Sequence, residues 1–204
     1  MQKIKNILFD LGGIFIEIDF AKTNKAFVDL GVLHFDQMFT QHTASALFEK
    51  LETGIYSPDQ FYEAFREEVQ LPLSNGQIEG AWNAMLGTFP LERFEWLAEI
   101  KSRYNVYLYS NTNRIHYDAF QKIYKQCTGK GNFDDYFIKA HYSHELGLRK
   151  PYPQSFTQLL ALEKLAAAET LFIDDTPKNI EGAAMAGLQT ILLQPPKTVV
   201  DLDL

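Results

Sequence analysis

Four short runs of apolar residues stand out along the chain: "ILF" before Asp10, "VYLY" before Ser110, "TLFI" before Asp174 and "TILL" at 190–193. None alternates with polar positions, which is the pattern of strands buried on both faces, as in a parallel sheet. "YFIKA" at 136–140 is a weaker strand candidate. Between the runs, apolar positions recur at helical spacing. Phe94, Leu97, Ile100 and Tyr104 share one stripe of 91–104. Ile115, Phe120, Ile123 and Tyr124 lie on or near one stripe of 113–127, and Phe156, Leu159, Leu160 and Leu162 mark a third in 154–165. Strands alternating with helices predict an α/β fold: a doubly wound, Rossmann-like, mostly parallel sheet.

The interval 18–88 breaks this rhythm. It has no strand run and reads as several helices rich in Phe and Tyr. Ser57 and Gln60 form a capping-box pattern around Pro58, Ser74 and Gln77 repeat it, and Gly54 stands where a helix end takes a left-handed residue. Phe48, Phe61 and Trp82 are expected in the core of this helical unit. The division expected is an α/β core from 1–17 and 89–204, with a small helical domain of 18–88 inserted after the first strand. The tail "PPKTVVDLDL" reads as an end-strand remnant followed by loop.

Composition narrows the class. A net charge of -7 over 204 residues argues against a broad basic surface for nucleic acid. Cys127 is the one cysteine, so no intramolecular disulfide can form, in keeping with a reducing compartment. No window of about 18 uncharged apolar residues and no signal-peptide core is present. The expectation is a cytoplasmic protein without membrane or nucleic-acid partners, a monomer or weak dimer.

The chemistry gathers where the strand runs end: Asp10, then Ser110-Asn111-Thr112, then Lys150, then Asp174-Asp175. In an open parallel sheet the carboxyl ends of strands converge on one crevice. Three carboxylates suit a hard cation such as Mg2+. A lysine and a serine suit a phosphoryl group, and a carboxylate beside the cation can attack phosphorus. The set fits phosphoryl transfer better than acyl transfer. Blander roles stand beside these. Asp174-Asp175 suit the start of a helix near Pro177, and Ser110 or Asn113 suits the cap of the helix at 113. Arg149 faces either the site or solvent. Glu52-Thr53-Gly54 reads as a helix end, Cys127 as a structural thiol, and His34, His42, His116, His141 and His144 as surface or loop residues.

"FDLGG", "YLYSNTN", "LGLRKPYPQSF" and "FIDDTPKNIEGAAMAG" resemble, in order, the four motifs of the haloacid dehalogenase superfamily, and the helical insertion resembles that family's small cap domain. More closely, "SNTNR", "LGLRKP" and "DD" followed by "NIEGA" resemble the bacterial phosphatases of α-glucose 1-phosphate and the phosphatase domain of epoxide hydrolases. The resemblance implies a Mg2+-dependent phosphatase of a small phosphorylated metabolite, a sugar phosphate first among them. Asp10 would be the nucleophile. Asp10, the Gly12 carbonyl and Asp175 would hold Mg2+, with Asp174 beside them. Ser110 and Asn111 would bind the phosphoryl group, Lys150 would neutralise it and keep Asp10 ionised, and Asn179 would orient a loop or ligand.

The chain departs from the family at Gly12, where most phosphatases of the superfamily carry a second aspartate that protonates the leaving oxygen and then activates water. Glu17 or Asp19 is expected to take over that acid/base role if the turn folds back over the site. Otherwise a better leaving group lessens the need for it, or the protein is a weakly active or inactive phosphate-binding homologue. A haloacid dehalogenase is disfavoured by Asp174-Asp175, since that chemistry needs no Mg2+.

Overall fold

The computed structural model describes residues 3–41 and 43–204, so the reading of His42 lies outside it. The apolar runs become strands β1 (Asn6–Phe9), β2 (Asn105–Ser110), β4 (Thr170–Asp174) and β5 (Gln189–Leu192), with β3 (Lys139–Tyr142) between β2 and β4 in the chain. They form one sheet in the order β3-β2-β1-β4-β5, and every pairing is parallel. β1 is central and wholly buried, which is why its sequence lacks alternation. β3 starts later than the expected 136–140. Phe133–Tyr136 forms a 3-10 turn and Ile138 is exposed, so the edge strand is built from the more polar "KAHY".

Helices α1 (Phe20–Asp29), α2 (Phe35–Met38), α3 (Ala46–Glu52), α4 (Pro58–Val69) and α5 (Asn75–Asn83) follow β1. Both expected capping boxes form, Ser57 with Gln60 and Ser74 with Gln77. These helices enclose an apolar cluster of their own, in which Phe27 and Phe35 stack at 4.2 Å and Phe48 and Trp82 lie 4.8 Å apart. Ile115, from the core, joins that cluster. Gly54 (φ +70°) ends α3 against the backbone of His144, where any side chain would collide with the His144 carbonyl. The left-handed helix end and the close approach both require glycine.

The remaining helices are α6 (Leu91–Ile100), α7 (Arg114–Thr128), α8 (Ser143–Leu146), α9 (Pro153–Glu163) and α10 (Pro177–Met185). The expected stripes are buried, except that Tyr104 and Ile123 are half-buried and Leu162 is exposed. Asn113, not Ser110, caps α7 by accepting from the His116 N–H. Cys127 is exposed on α7 and so has no packing role. The tail ends in a 3-10 turn, Val199–Asp201, rather than a strand remnant. No helix among the described residues is long and apolar enough to cross a membrane.

Candidate active site

A cleft of about 390 Å3 opens at the carboxyl end of the sheet, between the core and the inserted helices. Asp10, Gly12, Ser110, Asn111, Lys150 and Asp175 all line it. Strands far apart in sequence deliver them: Asp10 follows β1, Ser110 ends β2, and Asp174 ends β4 directly before Asp175.

Lys150 is the centre of charge. Its ammonium lies 2.7 Å from Asp10 Oδ1 and 2.7 Å from Asp174 Oδ2 and is almost fully buried. Burial alone would lower the lysine, but Asp10 and Asp174 outweigh it and hold the ammonium protonated, well above its usual range. Asp10 moves the other way. Burial raises its carboxyl, Lys150 offsets part of this, and Asp174 and Asp175 raise it further, to about 7. Asp175 is raised by burial and then by Asp174. Ligand oxygens of Asp10, Asp174 and Asp175 lie within 4.8 Å of one another. Three carboxylates against one ammonium leave an excess of negative charge, and their oxygen donors are those a hard divalent cation takes. The donor set therefore fits such a metal.

The two motif aspartates are unequal. Asp174 accepts from the Thr176 N–H (2.8 Å), from Asn179 Nδ2 on both oxygens (3.1 and 3.0 Å) and from Lys150. It is saturated with donors and braces both Lys150 and the start of α10. Among the described residues Asp175 accepts from Thr176 Oγ1 (3.0 Å) and, across the cleft, from Gln41 Nε2 (3.3 Å), fewer donors than Asp174 has, so it is freer to bind a ligand. Gly13 (φ +72°) packs directly on Asp175, where a side chain would meet that carboxylate.

Asn111 lines the cleft, yet both ends of its amide are engaged: Oδ1 accepts from the Lys150 N–H and Nδ2 donates to the Lys150 carbonyl, each at 2.9 Å. It mimics a backbone pairing and fixes the lysine, with one Nδ2 hydrogen left over. Among the described residues Ser110 Oγ makes a single long contact, 3.4 Å, to the Asn111 carbonyl, and it lines the cleft.

Glu17 and Asp19 do not meet the expectation for them. The chain at 17–19 runs beside the returning segment 85–88, with bonds from Glu17 N to Thr88 O (3.0 Å), Gly87 N to Glu17 O (2.8 Å) and Asp19 N to Met85 O (2.9 Å). Side chains of an extended segment alternate. Ile16 and Ile18 face the cleft, so Glu17 and Asp19 face away. Glu17 accepts from Thr88 Oγ1 (2.8 Å), and Asp19 caps α1 through Ala21 N (3.0 Å). The acids that line the cleft besides Asp10 and Asp175 are Glu49 and Glu52, among the described residues.

Several participants were not legible from local patterns. Arg149 faces the cleft and is paired with Glu49 and Glu52 of α3, so Glu52 is more than a helix end. Arg93 of α6 is buried and donates to the carbonyls of Gly13 (3.4 Å) and Ile14 (3.1 Å), bracing the turn that follows Asp10. His116 and His141 are buried rather than at the surface. His141 meets Glu163 at 2.9 Å, and His116 stacks on Trp82 at 4.4 Å with Nε2 3.1 Å from the Trp82 carbonyl.

His116 thus ties the core to the inserted helices. Burial lowers its imidazole to about 4. A histidine with a depressed folded pKa contributes stability that is present above its unfolded value near 6.5 and is lost as pH falls through the folded one. Melting temperature is therefore expected to drop between pH 6.5 and 4, with about 3 kcal/mol at stake from this group. His116→Gln should flatten that slope in thermal melts at several pH values.

The comparisons with known proteins agree with this geometry. The haloacid dehalogenase-like hydrolase family matches residues 4–187. The chain belongs to that family. It is 30% identical to D-ribitol-5-phosphate phosphatase of Bacteroides thetaiotaomicron, over 92% of this chain and 90% of that protein. It is 28% identical to the sesquiterpene phosphatase astK of Aspergillus oryzae, over 90% of this chain and 87% of that one. An aspartate-to-alanine variant of HAD family enzyme BT-2542 from B. thetaiotaomicron, crystallised with magnesium and inorganic phosphate, superposes with a TM-score of 0.89 at 31% identity, covering 95% of this chain and 96% of that one. The L-2-haloacid dehalogenase of Xanthobacter autotrophicus shares the fold alone, at 18% identity and TM-score 0.60 over 93% of this chain and 77% of its own.

Proposed function

We propose that this haloacid dehalogenase-like hydrolase is a Mg2+-dependent phosphatase of a small phosphorylated metabolite, a sugar or sugar-alcohol phosphate, working through an aspartyl-phosphate on Asp10. The observation that carries the reading is the convergence of Asp10, Asp174 and Asp175 around one buried lysine. Dehalogenation needs no Mg2+, so the Asp174-Asp175 pair argues against it. A magnesium-bearing relative and relatives named as phosphatases support the same choice.

Asp10, Asp175 and the Gly12 carbonyl would hold Mg2+, with Asp174 adjoining. When bound, the ion supplies positive charge that lowers the Asp10 carboxyl and offsets charge on the phosphoryl oxygens. Lys150 grips Asp10 Oδ1 and leaves the other oxygen to attack phosphorus. The Oδ–P bond forms as the P–O bond to the alcohol breaks. Ser110 Oγ and the Lys150 ammonium stabilise the transferring group, and Asn111 keeps Lys150 in register. Water then attacks phosphorus, freeing phosphate and the Asp10 carboxylate. With Glu17 and Asp19 turned away, the departing oxygen takes its proton from water, so turnover favours leaving groups of low basicity.

A panel of phosphomonoesters assayed with Mg2+ tests this. Phosphate release is expected for sugar and sugar-alcohol phosphates, to vanish in EDTA and to return with Mg2+. At about 100 times its dissociation constant, Mg2+ should also add about 2.7 kcal/mol of stability in thermal melts. Turnover indifferent to chelation would refute the reading.

A further inference from the structure

One wall of the cleft carries charges that the phosphoryl chemistry does not use. Glu49 and Glu52 sit one turn apart on α3 and both face Arg149. Arg149 Nη1 lies 2.7 Å from Glu49 Oε1 and Nη2 lies 2.8 Å from Glu52 Oε2. All three residues line the cleft, and Arg149 directly precedes Lys150 in the chain. We propose that Glu49, Arg149 and Glu52 form the hydroxyl-reading wall of the site and select a polyhydroxylated monophosphate over an alkyl or isoprenoid one. The inference rests on the phosphatase reading and names its substrate class.

The argument begins with desolvation. The Glu52 side chain is only 8% exposed and that of Arg149 16%, so both charges sit largely out of water. Two carboxylates share one guanidinium, so accepting capacity is left over: a carboxylate offers about four lone-pair sites and no donor. A polyol meets that demand, since its hydroxyls can donate to Glu49 and Glu52. A hydrocarbon chain would strip water from these charges and return nothing. Sites built to bond a substrate hydroxyl can reject an analogue without it by as much as about 10⁴-fold. The excess negative charge also disfavours a second phosphate at this end of the substrate. Ile16, Ile18, Phe20, Phe39, Met85 and Leu86 also line the cleft and offer apolar surface that suits the C–H face of such a chain. Family membership does not make this choice, because relatives of nearly equal identity are named for a sugar-alcohol phosphate and for a sesquiterpene.

The test compares kcat/KM for a pentitol 5-phosphate and for n-pentyl phosphate, which differ in hydroxyls and not in chain length. The full chain with Mg2+ is expected to favour the pentitol ester at least a hundredfold. Glu52→Gln and Arg149→Met should each cut that ratio at least tenfold. A merely structural role in seating α3 would lower both substrates by a common factor and leave the ratio standing, which would overturn the inference. Glu49→Gln, at the half-exposed acid, supplies the same ratio if the buried variants do not fold. Equal turnover of both esters by the unaltered chain overturns the inference alone. A chain that hydrolyses neither of them, nor p-nitrophenyl phosphate, overturns the phosphatase reading and the inference with it.

Discussion

Asp10→Asn is expected to abolish phosphoester hydrolysis, lowering kcat by about 10⁴-fold or more, the scale on which removing a nucleophile acts. The amide keeps the shape of the side chain but cannot attack phosphorus or leave as a carboxylate. Folding should survive, because ionised Asp10 is disfavoured in the metal-free protein: burial, with Asp174 and Asp175, outweighs the help its charge receives from Lys150. A melting temperature at or above that of the unaltered chain in EDTA at pH 8, together with lost activity, is the expected pair of results. Such a pair is the usual trade between a charged site and stability. Retained activity in Asp10→Asn would reject the assignment of the nucleophile.

Lys150→Met is expected to damage both activity and stability. The ammonium neutralises two buried carboxylates at 2.7 Å each, and among the described residues Lys150 is the cation paired with Asp10. Removing one partner of a buried pair typically costs about 3–5 kcal/mol, because the other charge is left uncompensated. For a chain of this size that corresponds to a fall in melting temperature of about 6–20 °C. Mg2+ should recover part of the loss, since it brings positive charge to the same carboxylates. Thermal melts with and without Mg2+ measure both effects, and a variant as stable as the unaltered chain in EDTA would show that Lys150 does not hold the cluster together.

The sheet and most of the cluster could be read from the chain because their signals are local. β1, β2 and β4 are continuous apolar runs since both faces of each are covered, and each run ends on, or one residue before, a polar residue that lines the cleft. β3 was displaced because an edge strand needs less apolar sequence, and its His141 pairs with Glu163 rather than facing solvent. What escaped depends on long-range pairing. Nothing near Glu17 or Asp19 in sequence reveals that 17–19 lies along 85–88, and that pairing alone decides which side chains enter the cleft. Arg93, Arg149 and His116 find their partners tens of residues away, on elements whose docking no local period encodes. Asn111 was placed in the right loop, but its two bonds to Lys150 appear only once β2 and the Lys150 loop are side by side.

The most direct test of the central claim is to trap the intermediate. The chain is mixed with Mg2+ and excess sugar-alcohol phosphate, quenched in acid within one turnover and reduced with borohydride, and residue 10 is read by peptide mass spectrometry. An acyl phosphate on Asp10 is reduced to homoserine, and homoserine at position 10 is the predicted result. Full phosphate release with Asp10 unmodified, or the modification at another carboxylate, would contradict the account.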